Sequence, residues 1–489
     1  MTIDFQTVKE QVNALAVIAT DTGKPNLDDC LAKNEQGDAE LFSWMFSDRF
    51  VFDYTQGDWY RYTGPYWEKV NPGELWHAVG NQVAAEYTLA AGRYRAAGGD
   101  DNRMRERDFL ARAAALRSKK RVTAVLDWAK SLTPLPAHGW DRTQMLFTVE
   151  NGVIDLATGK LRSGEPGDYL RAHAPAQWLG LDYRSPLWEK TIMQIFGGDA
   201  EMAAFIQRLL GYALTGLSNE RILPIFYGAG ANGKTTLKEV ITAVLGADYF
   251  QETSAAALME SKHDDGKGPN PLIVSLQSKR MVWASESKEG QRLDMGLVKA
   301  LTGGDTMSGR GMYAKEFVTF RPTHTPFLIT NHLPHISADD QAAWDRVLAI
   351  EFSSRFVDNP QAANEYPRIA NLKDRLNSET PGILAWLVRG CLDWQRQGLN
   401  PPAKVTATNA EYRESEDDFG LFCSEVFDTT DNPDTKIRAG DAYTRYCDWA
   451  IRYRMSPMSL TAFGRRMSAK YAKADDEKGK YYRFVVFKS

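Results

Sequence analysis

The sequence has few cysteines, and they are far apart. Cys30, Cys391, Cys423 and Cys447 are the only four in 489 residues, and no CxxC pair occurs. Neither a disulfide framework nor a cysteine-based zinc site is therefore expected. We interpret the four as buried free thiols, because an unpaired cysteine behaves as a small apolar residue.

The sequence also has no long apolar run and no large excess of charge. No run approaches the roughly 18 apolar residues of a membrane span, and the opening MTIDFQTVKEQ lacks the apolar core of a signal peptide. These features predict a cytoplasmic protein without a membrane partner. The formal net charge of -4 excludes a general polycation but allows local basic surfaces.

Ample apolar and aromatic residues predict several folded modules. Hydrophobic residues make up 43% of the chain, which includes 13 Trp, 20 Tyr and 22 Phe. We predict a flexible lead-in over 1–40 and a mixed α+β amino-terminal module over 41–185. An α/β core over 186–355, a helical connector over 356–427 and a basic module over 428–489 follow.

The amino-terminal module has an aromatic hairpin pattern and then a basic strip. Trp59, Tyr60, Tyr62 and Trp67 stand beside turn signals, and packing is favoured over base stacking for them. Residues 103–121 contain eight basic residues. They could form a solvated helix face or contact a nucleic-acid backbone, and the sequence favours neither.

The strongest motif is a phosphate-binding loop. The apolar run ILPIFY ends at Tyr227, and GAGANGKT (228–235) follows directly before a helical pattern. This strand–loop–helix context is the one that GxxxxGK[ST] requires. The predicted nucleotide contacts are Gly228, Ala229, Gly230, Ala231, Asn232, Gly233, Lys234, Thr235 and Thr236. Lys234 is expected to reach the β- and γ-phosphates of ATP, and the Thr235 hydroxyl to hold Mg²⁺.

Two later strand-like runs end in polar residues that suit hydrolysis. Glu286 follows RMVWAS, where a carboxylate can activate water and support the metal. Glu289 is a weaker second possibility. Asn331 follows PFLIT and is expected to sense the γ-phosphate, although a turn former is the plainer interpretation of an isolated Asn. Ser285 stands where many phosphate-loop enzymes carry Asp, which leaves the metal contact uncertain.

Together these motifs resemble the superfamily 3 helicases, and more closely the helicase part of poxvirus-type and phage or plasmid primase-helicases. The resemblance rests on segments over roughly 40–355, namely NGVIDLATGKL (151–161), GYALTG (211–216), GAGANGKTT (228–236), SE (285–286), KALTGGD (299–305), TN (330–331) and WDRVLAIEF (344–352). It implies an AAA+-like P-loop ATPase core that hydrolyses ATP with Mg²⁺.

The resemblance also implies a ring, usually a hexamer, with nucleotide at each subunit interface. Arg346 stands where the family carries an arginine finger for the neighbour's γ-phosphate, and a surface ion pair is the alternative. A pore hairpin is expected over 305–317, with Arg310, Tyr313 and Lys315 on DNA. Lys299 could touch DNA, nucleotide or a neighbour. The implied partners are single-stranded and forked DNA.

The tail predicts a winged-helix-like module. Residues 436–489 contain 13 Lys/Arg against five Asp/Glu, a net of +8, which suits phosphate contacts. Larger family members have a primase domain upstream, and we find no paired-carboxylate strand before residue 151. A separate primase or polymerase is therefore an expected partner.

The sequence is compatible with three functions. The preferred one is a DNA helicase or translocase of phage, plasmid or mobile-element replication, moving 3′ to 5′ as the resemblance implies. A nucleotide-dependent origin-binding initiator or loader that recruits a primase or polymerase is the second. A small-molecule P-loop kinase shares only the 228–235 loop and leaves Asn331 unexplained.

Overall fold

A computed structural model describes residues 23–137, 139–260, 270–285, 289–312, 317–432, 434–453, 455–476 and 479–488. Three predicted site residues, Glu286, Tyr313 and Lys315, lie outside them. No helix in these ranges has the length and apolar character needed to cross a bilayer.

The amino-terminal module joins helices to a small antiparallel sheet in the order β1-β2-β3. Its elements are α1 (Leu27–Ala32), α2 (Asn34–Met45), β1 (Phe50–Asp53), β2 (Asp58–Tyr62), β3 (Trp67–Lys69), α3 (Pro72–His77), a π-helical segment (Ala78–Val83), α4 (Ala84–Ala97), α5 (Asp100–Ala115) and α6 (Lys119–Leu132). Trp59, Tyr60 and Trp67 are buried, which agrees with the packing interpretation.

The expected lead-in over 1–40 is wrong for its second part. Residues 27–45 form two helices, and Ala39 and Leu41 are fully buried in the core of this module. Asn26 caps α1 by accepting a hydrogen bond from the Asp28 amide at 2.8 Å. The polar residues that suggested a loose segment instead lie on the outer faces of these helices.

A second small sheet leads into the core. Strands β4 (Leu146–Val149), β5 (Gly152–Asp155) and β6 (Lys160–Arg162) pair antiparallel, which confirms the predicted strand–turn–strand at 151–161. Helices α7 (Pro186–Ile195) and α8 (Ala200–Tyr212) follow. Phe147 and Trp178 share one apolar cluster with Trp188 and Trp386, so packing does not break at the predicted boundary of 185.

The core is a five-stranded parallel sheet in the order β13-β7-β12-β9-β8. Its inner strands are almost wholly buried, as parallel strands covered on both faces require. The core elements are β7 (Leu223–Tyr227), α9 (Lys234–Tyr249), β8 (Phe250–Ser254), α10 (Pro271–Ser275), β9 (Met281–Ser285), α11 (Met295–Thr302), β10 (Met307–Gly309), β11 (Val318–Phe320), β12 (Thr325–Ile329), α12 (Gln341–Trp344) and β13 (Val347–Glu351).

The connector is mostly helical, as predicted, and it packs on the core. Its elements are β14 (Arg355–Val357), β15 (Glu365–Pro367), α13 (Leu372–Asn377), α14 (Thr380–Gln397) and α15 (Ala403–Ser415). The Asn409 side chain of α15 lies against the outer strand β13. It accepts a hydrogen bond from the Ala349 amide at 2.7 Å and donates one to the Val347 carbonyl at 2.8 Å.

The carboxy-terminal module has its own apolar core around Phe422 and Phe463. Its elements are α16 (Asp418–Val426), β16 (Phe427–Thr429), β17 (Lys436–Arg438), α17 (Ala439–Arg452), α18 (Leu460–Lys470), β18 (Lys473–Asp476), β19 (Gly479–Arg483) and β20 (Val485–Phe487). Three strands form a sheet in the order β17-β19-β18, and β16 pairs with β20.

Candidate nucleotide site

The predicted loop connects β7 to α9, as the sequence indicated. Two glycines allow the loop to pack closely against neighbouring residues. A Cβ on Gly228, whose φ is +138°, would lie 2.6 Å from the Phe352 carbonyl oxygen. A Cβ on Gly233, whose φ is +91°, would lie 2.7 Å from Ile195 Cγ1. Only glycine combines these backbone angles with such close approach.

Lys234 is the first residue of α9, and its ammonium group is buried inside the loop. Nζ donates to the Gly228 carbonyl at 2.6 Å and to Asn232 Oδ1 at 3.1 Å. Burial lowers the pKa of Lys234 to about 8. Among the described residues no carboxylate pairs with it, so an anion at this position would gain a counterion that is already desolvated.

The Asn232 side chain stabilises the loop by a hydrogen bond to the segment after β13. Its Nδ2 donates to the Phe352 carbonyl at 3.1 Å, and the side chain is buried. Next to it, Ala231 has a positive φ of 59°, and its carbonyl accepts the Phe356 amide at 2.7 Å. The crest of the loop, residues 229–231, is exposed. Its backbone, rather than the Asn232 side chain, is thus available to a ligand.

A cavity of about 390 Å³ opens beside the loop. Residues 230–236 and Asn331 line it, so the structure brings Asn331 to the loop. The rest of its wall was not predicted from the sequence and comes from α7 and the segment after β13: Thr191, Ile195, Phe356, Arg368, Ile369 and Leu372. Apolar walls with one cationic side chain suit a flat, polar-edged ring such as a nucleobase.

Asn331 reaches the cavity because β12 lies between β7 and β9. Ile329 pairs with Phe226 of β7 and with Ser285 of β9, and the Thr330 amide donates to the Phe226 carbonyl at 3.0 Å. The prediction that this strand lies beside the one leading to Glu286 is confirmed. The role of Asn331 with the γ-phosphate stays a prediction.

An unpredicted acid lies at the end of β9. Ser285 Oγ donates to Glu252 Oε1 of the neighbouring strand β8 at 3.1 Å, and Lys238 of α9 pairs with the same carboxylate. The Lys238 hydrogen bond, with help from Ser285, holds the pKa of Glu252 below its usual value. Glu252 thus sits ionised between the loop helix and the strand that leads to Glu286. Glu289 is exposed in a turn.

Arg346 lies at the opposite end of the sheet from its own loop. Its carbonyl accepts the amide of Leu223, the first residue of β7, at 2.7 Å. The loop begins beyond the last residue of that strand, roughly 13 Å farther on. Its guanidinium donates to Thr302 Oγ1 at 3.1 Å and to the Ala342 carbonyl at 2.6 Å. Arg346 therefore cannot serve its own nucleotide site.

The hairpin predicted over 305–317 forms part of a two-stranded antiparallel ribbon. Met307–Gly309 pairs with Val318–Phe320. Arg310 lies over the Phe317 ring at 5.6 Å, and Met312 and Phe317 are among the most exposed apolar side chains. Neither Met312 nor Phe317 was predicted as a DNA contact.

Lys299 is not on the hairpin. It belongs to α11, and its Nζ lies 2.8 Å from Asp340 Oδ2. The Lys299 hydrogen bond lowers the pKa of Asp340. This pair stands close to Arg346, on the face away from the phosphate loop. The role of Lys299, with DNA, nucleotide or a neighbour, stays a prediction.

Part of the basic strip at 103–121 is used internally. Arg112 and Arg121 both pair with the fully buried Asp38, at 2.9 and 2.7 Å, and Tyr87 donates to the same carboxylate at 2.7 Å. In the carboxy-terminal module, Arg466 of α18 pairs with Asp339 of the core. Both predicted basic surfaces are thus partly neutralised.

Comparisons with known proteins find relatives among viral proteins that are named as helicases or primases. Residues 39–197 match the family described as "D5 N terminal like". The chain is 28% identical over 321 residues to the "Putative helicase L207/L206" of Acanthamoeba polyphaga mimivirus, covering 63% of this chain and 33% of the relative. It is 28% identical over 180 residues to "Primase D5" of Fowlpox virus, covering 35% of this chain and 22% of the relative.

One solved structure has a similar fold. The apo structure of the NrS-1 C-terminal region gives a TM-score of 0.52 at 10% identity, covering 92% of this chain and 99% of that one. The "Putative helicase 121R" of Invertebrate iridescent virus 3 is 26% identical over 342 residues, covering 64% of this chain and 35% of that relative. The chain spans about a third of the length of the mimivirus and iridescent-virus relatives.

The chain is thus a mixed α/β protein built around a parallel sheet, with a fold like that of the NrS-1 region. The matched amino-terminal segment and the viral relatives narrow the class further. Over these segments the chain is similar to D5-type primase-helicases.

Proposed function

We propose that the chain is a superfamily 3 DNA helicase or translocase, driven by ATP and assembled as a ring. The observation that carries this proposal is the buried ammonium of Lys234, which no carboxylate of the described residues pairs with, in a loop closely packed at its glycines at the carboxyl edge of a parallel sheet. The strand order supports an AAA+-like P-loop core, because it sets the strand leading to Asn331 directly beside the loop strand.

The described residues fit a nucleotide. Lys234 would leave the loop carbonyls for the β- and γ-phosphates, and the exposed amides of 229–231 would donate to phosphate oxygens. The exposed Thr235 hydroxyl faces the same cavity, where it would hold Mg²⁺. When bound, Mg²⁺ would neutralise charge on the phosphates. Glu286 would accept a proton from the attacking water, and Glu252 and Ser285 would fix the strand that presents it.

The position of Arg346 supports hydrolysis at subunit interfaces. Since it cannot reach its own loop, its proposed use as an arginine finger requires a neighbouring copy. Lys299 and Asp340 beside it would belong to the same contact. A hexamer is the expected ring, and it would pull single-stranded DNA through its pore 3′ to 5′.

Two elements would contact DNA. The ribbon carrying Arg310, Met312 and Phe317 supplies a cation and stacking surfaces, with Tyr313 and Lys315 proposed beside them. In the carboxy-terminal module, α17 and α18 lie between β17 and the other two strands of a three-stranded sheet in the order β17-β19-β18. This supports a winged-helix-like module for duplex or forked DNA. A separate primase or polymerase would complete the replication machinery.

The direct test measures ATP hydrolysis with Mg²⁺, with and without single-stranded DNA, and unwinding of a forked duplex. We expect DNA-stimulated hydrolysis and unwinding, both abolished in Lys234→Ala. Forks with a single 3′ or 5′ tail report direction. If the wild-type chain hydrolyses ATP no faster with DNA and opens no fork, the helicase proposal is wrong.

A second function, an origin-binding initiator or loader, is favoured by one observation. Ser285 bonds to Glu252 where many phosphate-loop enzymes have a metal-supporting Asp, and slow turnover would suit a nucleotide-dependent switch. This alternative predicts weak, DNA-independent hydrolysis together with nucleotide-dependent assembly on DNA. Size-exclusion chromatography with light scattering, with and without ATP, separates it from the helicase.

A further inference from the structure

The amino-terminal module exposes a tryptophan that its fold does not use. Trp76 lies on α3, two residues before the π-helical segment, and 47% of the residue is exposed. That segment packs against the turn between α5 and α6, since a Cβ on Gly80 would lie 3.5 Å from the Leu116 carbonyl. Trp76 therefore stands beside the start of α6.

One basic residue lies over this tryptophan, and two more are close to it in the chain. Lys119 Nζ lies over the Trp76 ring, 6.0 Å from its centroid, and Arg117 and Lys120 are exposed on the same turn. None of the three forms an ion pair within the described part of the chain, whereas Arg112 and Arg121 of the same strip are held by Asp38.

We propose that Trp76, Arg117, Lys119 and Lys120 form a second contact for single-stranded DNA, separate from the ribbon of the core. This rests on the proposed function, which makes DNA the polyanion at hand. An exposed indole offers a face on which any base can stack, and neighbouring cations bind the adjoining phosphates without reading sequence. The acid on α3, Glu74, lies 3.4 Å from Arg61, which also pairs with Glu68, so its charge is partly compensated.

The test uses the full chain without nucleotide and a fluorescein-labelled oligo(dT), with affinity read by anisotropy. Trp76→Ala should weaken binding roughly 5- to 150-fold, the range for losing one stacked base, and Trp76→Phe should restore most of it. The matched control is Trp128→Ala. Trp128 is exposed to 49%, has no cation over its ring among the residues that the structure describes, and lies on the opposite face of α6 from Lys119.

The contribution of the basic residues is measured separately, through the salt dependence of DNA binding. Lys119→Ala with Lys120→Ala should reduce the slope of log affinity against log salt by roughly 1.4, because each phosphate contact on a single strand contributes about 0.7. An unchanged slope would overturn the cationic half of the surface. Circular dichroism verifies folding, and if Trp76→Ala fails to fold, the charge variants and Trp76→Phe still decide.

Equal effects of Trp76→Ala and Trp128→Ala, or none from either, would overturn the proposal. So would a change of oligomeric state with DNA affinity intact, because the surface would then be a subunit contact. Repeating the binding in Lys234→Ala separates this inference from the proposed function. If DNA binding depends on Trp76 but the wild-type chain has no ATPase activity, the DNA contact is supported and the helicase proposal is wrong.

Discussion

Lys234 combines burial with a positive charge that the described residues do not neutralise, and this has a consequence for pH. The free protein releases the Lys234 proton near pH 8, while bound phosphates hold it. Nucleotide binding above pH 8 must therefore take up a proton. We expect affinity for ATP to fall as pH rises from 8 to 9.5, by at most about tenfold per unit. Isothermal titration calorimetry measures both affinity and proton uptake.

Lys234→Arg is the matched control, because a guanidinium does not titrate in this range. If it binds nucleotide at all, its affinity should be flat over the same pH interval. A wild-type affinity that does not change between pH 8 and 9.5 would contradict the assignment of Lys234 to the phosphates.

Arg346 is separated from its own loop by the length of β7, so its loss should be complemented by a neighbour. If Arg346 acts as proposed, Arg346→Ala should bind ATP with near-wild-type affinity but hydrolyse it at least about 10³-fold more slowly, the loss typical of arginine fingers. Mixing it with inactive Lys234→Ala should restore part of the ATPase, since some interfaces then pair an intact loop with an intact arginine. No restoration at any mixing ratio would count against a shared site.

At the scale of elements, Asp38 joins three helices of the amino-terminal module. Asp38→Ala leaves two arginines and the Tyr87 hydroxyl without their common partner. We expect a loss of about 3–5 kcal/mol in the free energy of unfolding, measured by urea denaturation. Asp127→Ala is the control, because it removes only an exposed partner of Lys130 at 2.8 Å and should cost about 1 kcal/mol or less.

The ribbon should couple hydrolysis to movement on DNA through its exposed apolar side chains. Phe317→Ala should leave DNA-free ATPase unchanged and reduce fork unwinding by roughly tenfold, because a stacking surface is lost. Leu89→Ala, on an equally exposed position of α4, should have no effect. Unwinding at the wild-type rate in Phe317→Ala would move the DNA contact elsewhere.

Elements with a local signal could be predicted from the sequence, and contacts made by distant strands could not. The phosphate loop and the strand before Asn331 follow from apolar runs and glycines within a few residues, whereas the ribbon between them was expected from the family resemblance. Glu252 enters the site only because β8 pairs with β9, and Phe356 only because its amide bonds to the loop. Neither residue carries a motif. The polar segment at 23–40 misled because its apolar residues are few, although Cys30 and Ala39 are buried and Leu27 and Leu31 pack against the same core.

At the scale of the whole molecule, the largest apolar cluster joins the second small sheet to the core and to α14. A chain begun at residue 186 would expose the faces that Phe147, Ile154 and Trp178 now cover. We expect it to aggregate or to melt well below the full chain. A chain begun at residue 143 keeps this cluster whole and should stay soluble. Soluble yield and Tm by differential scanning fluorimetry compare the two, and equal behaviour would contradict the shared core.

Asn409 has a further consequence for how copies of the chain can meet. An outer strand with free amides and carbonyls invites another strand to add to it, and such additions continue without limit. Here one side-chain amide occupies the donor and acceptor groups of Ala349 and Val347, in the way a neighbouring peptide would. Growth of the sheet from one copy into the next is thereby blocked along β13. Any assembly over this edge must use side-chain contacts, which close and reopen far more readily than a continuous sheet.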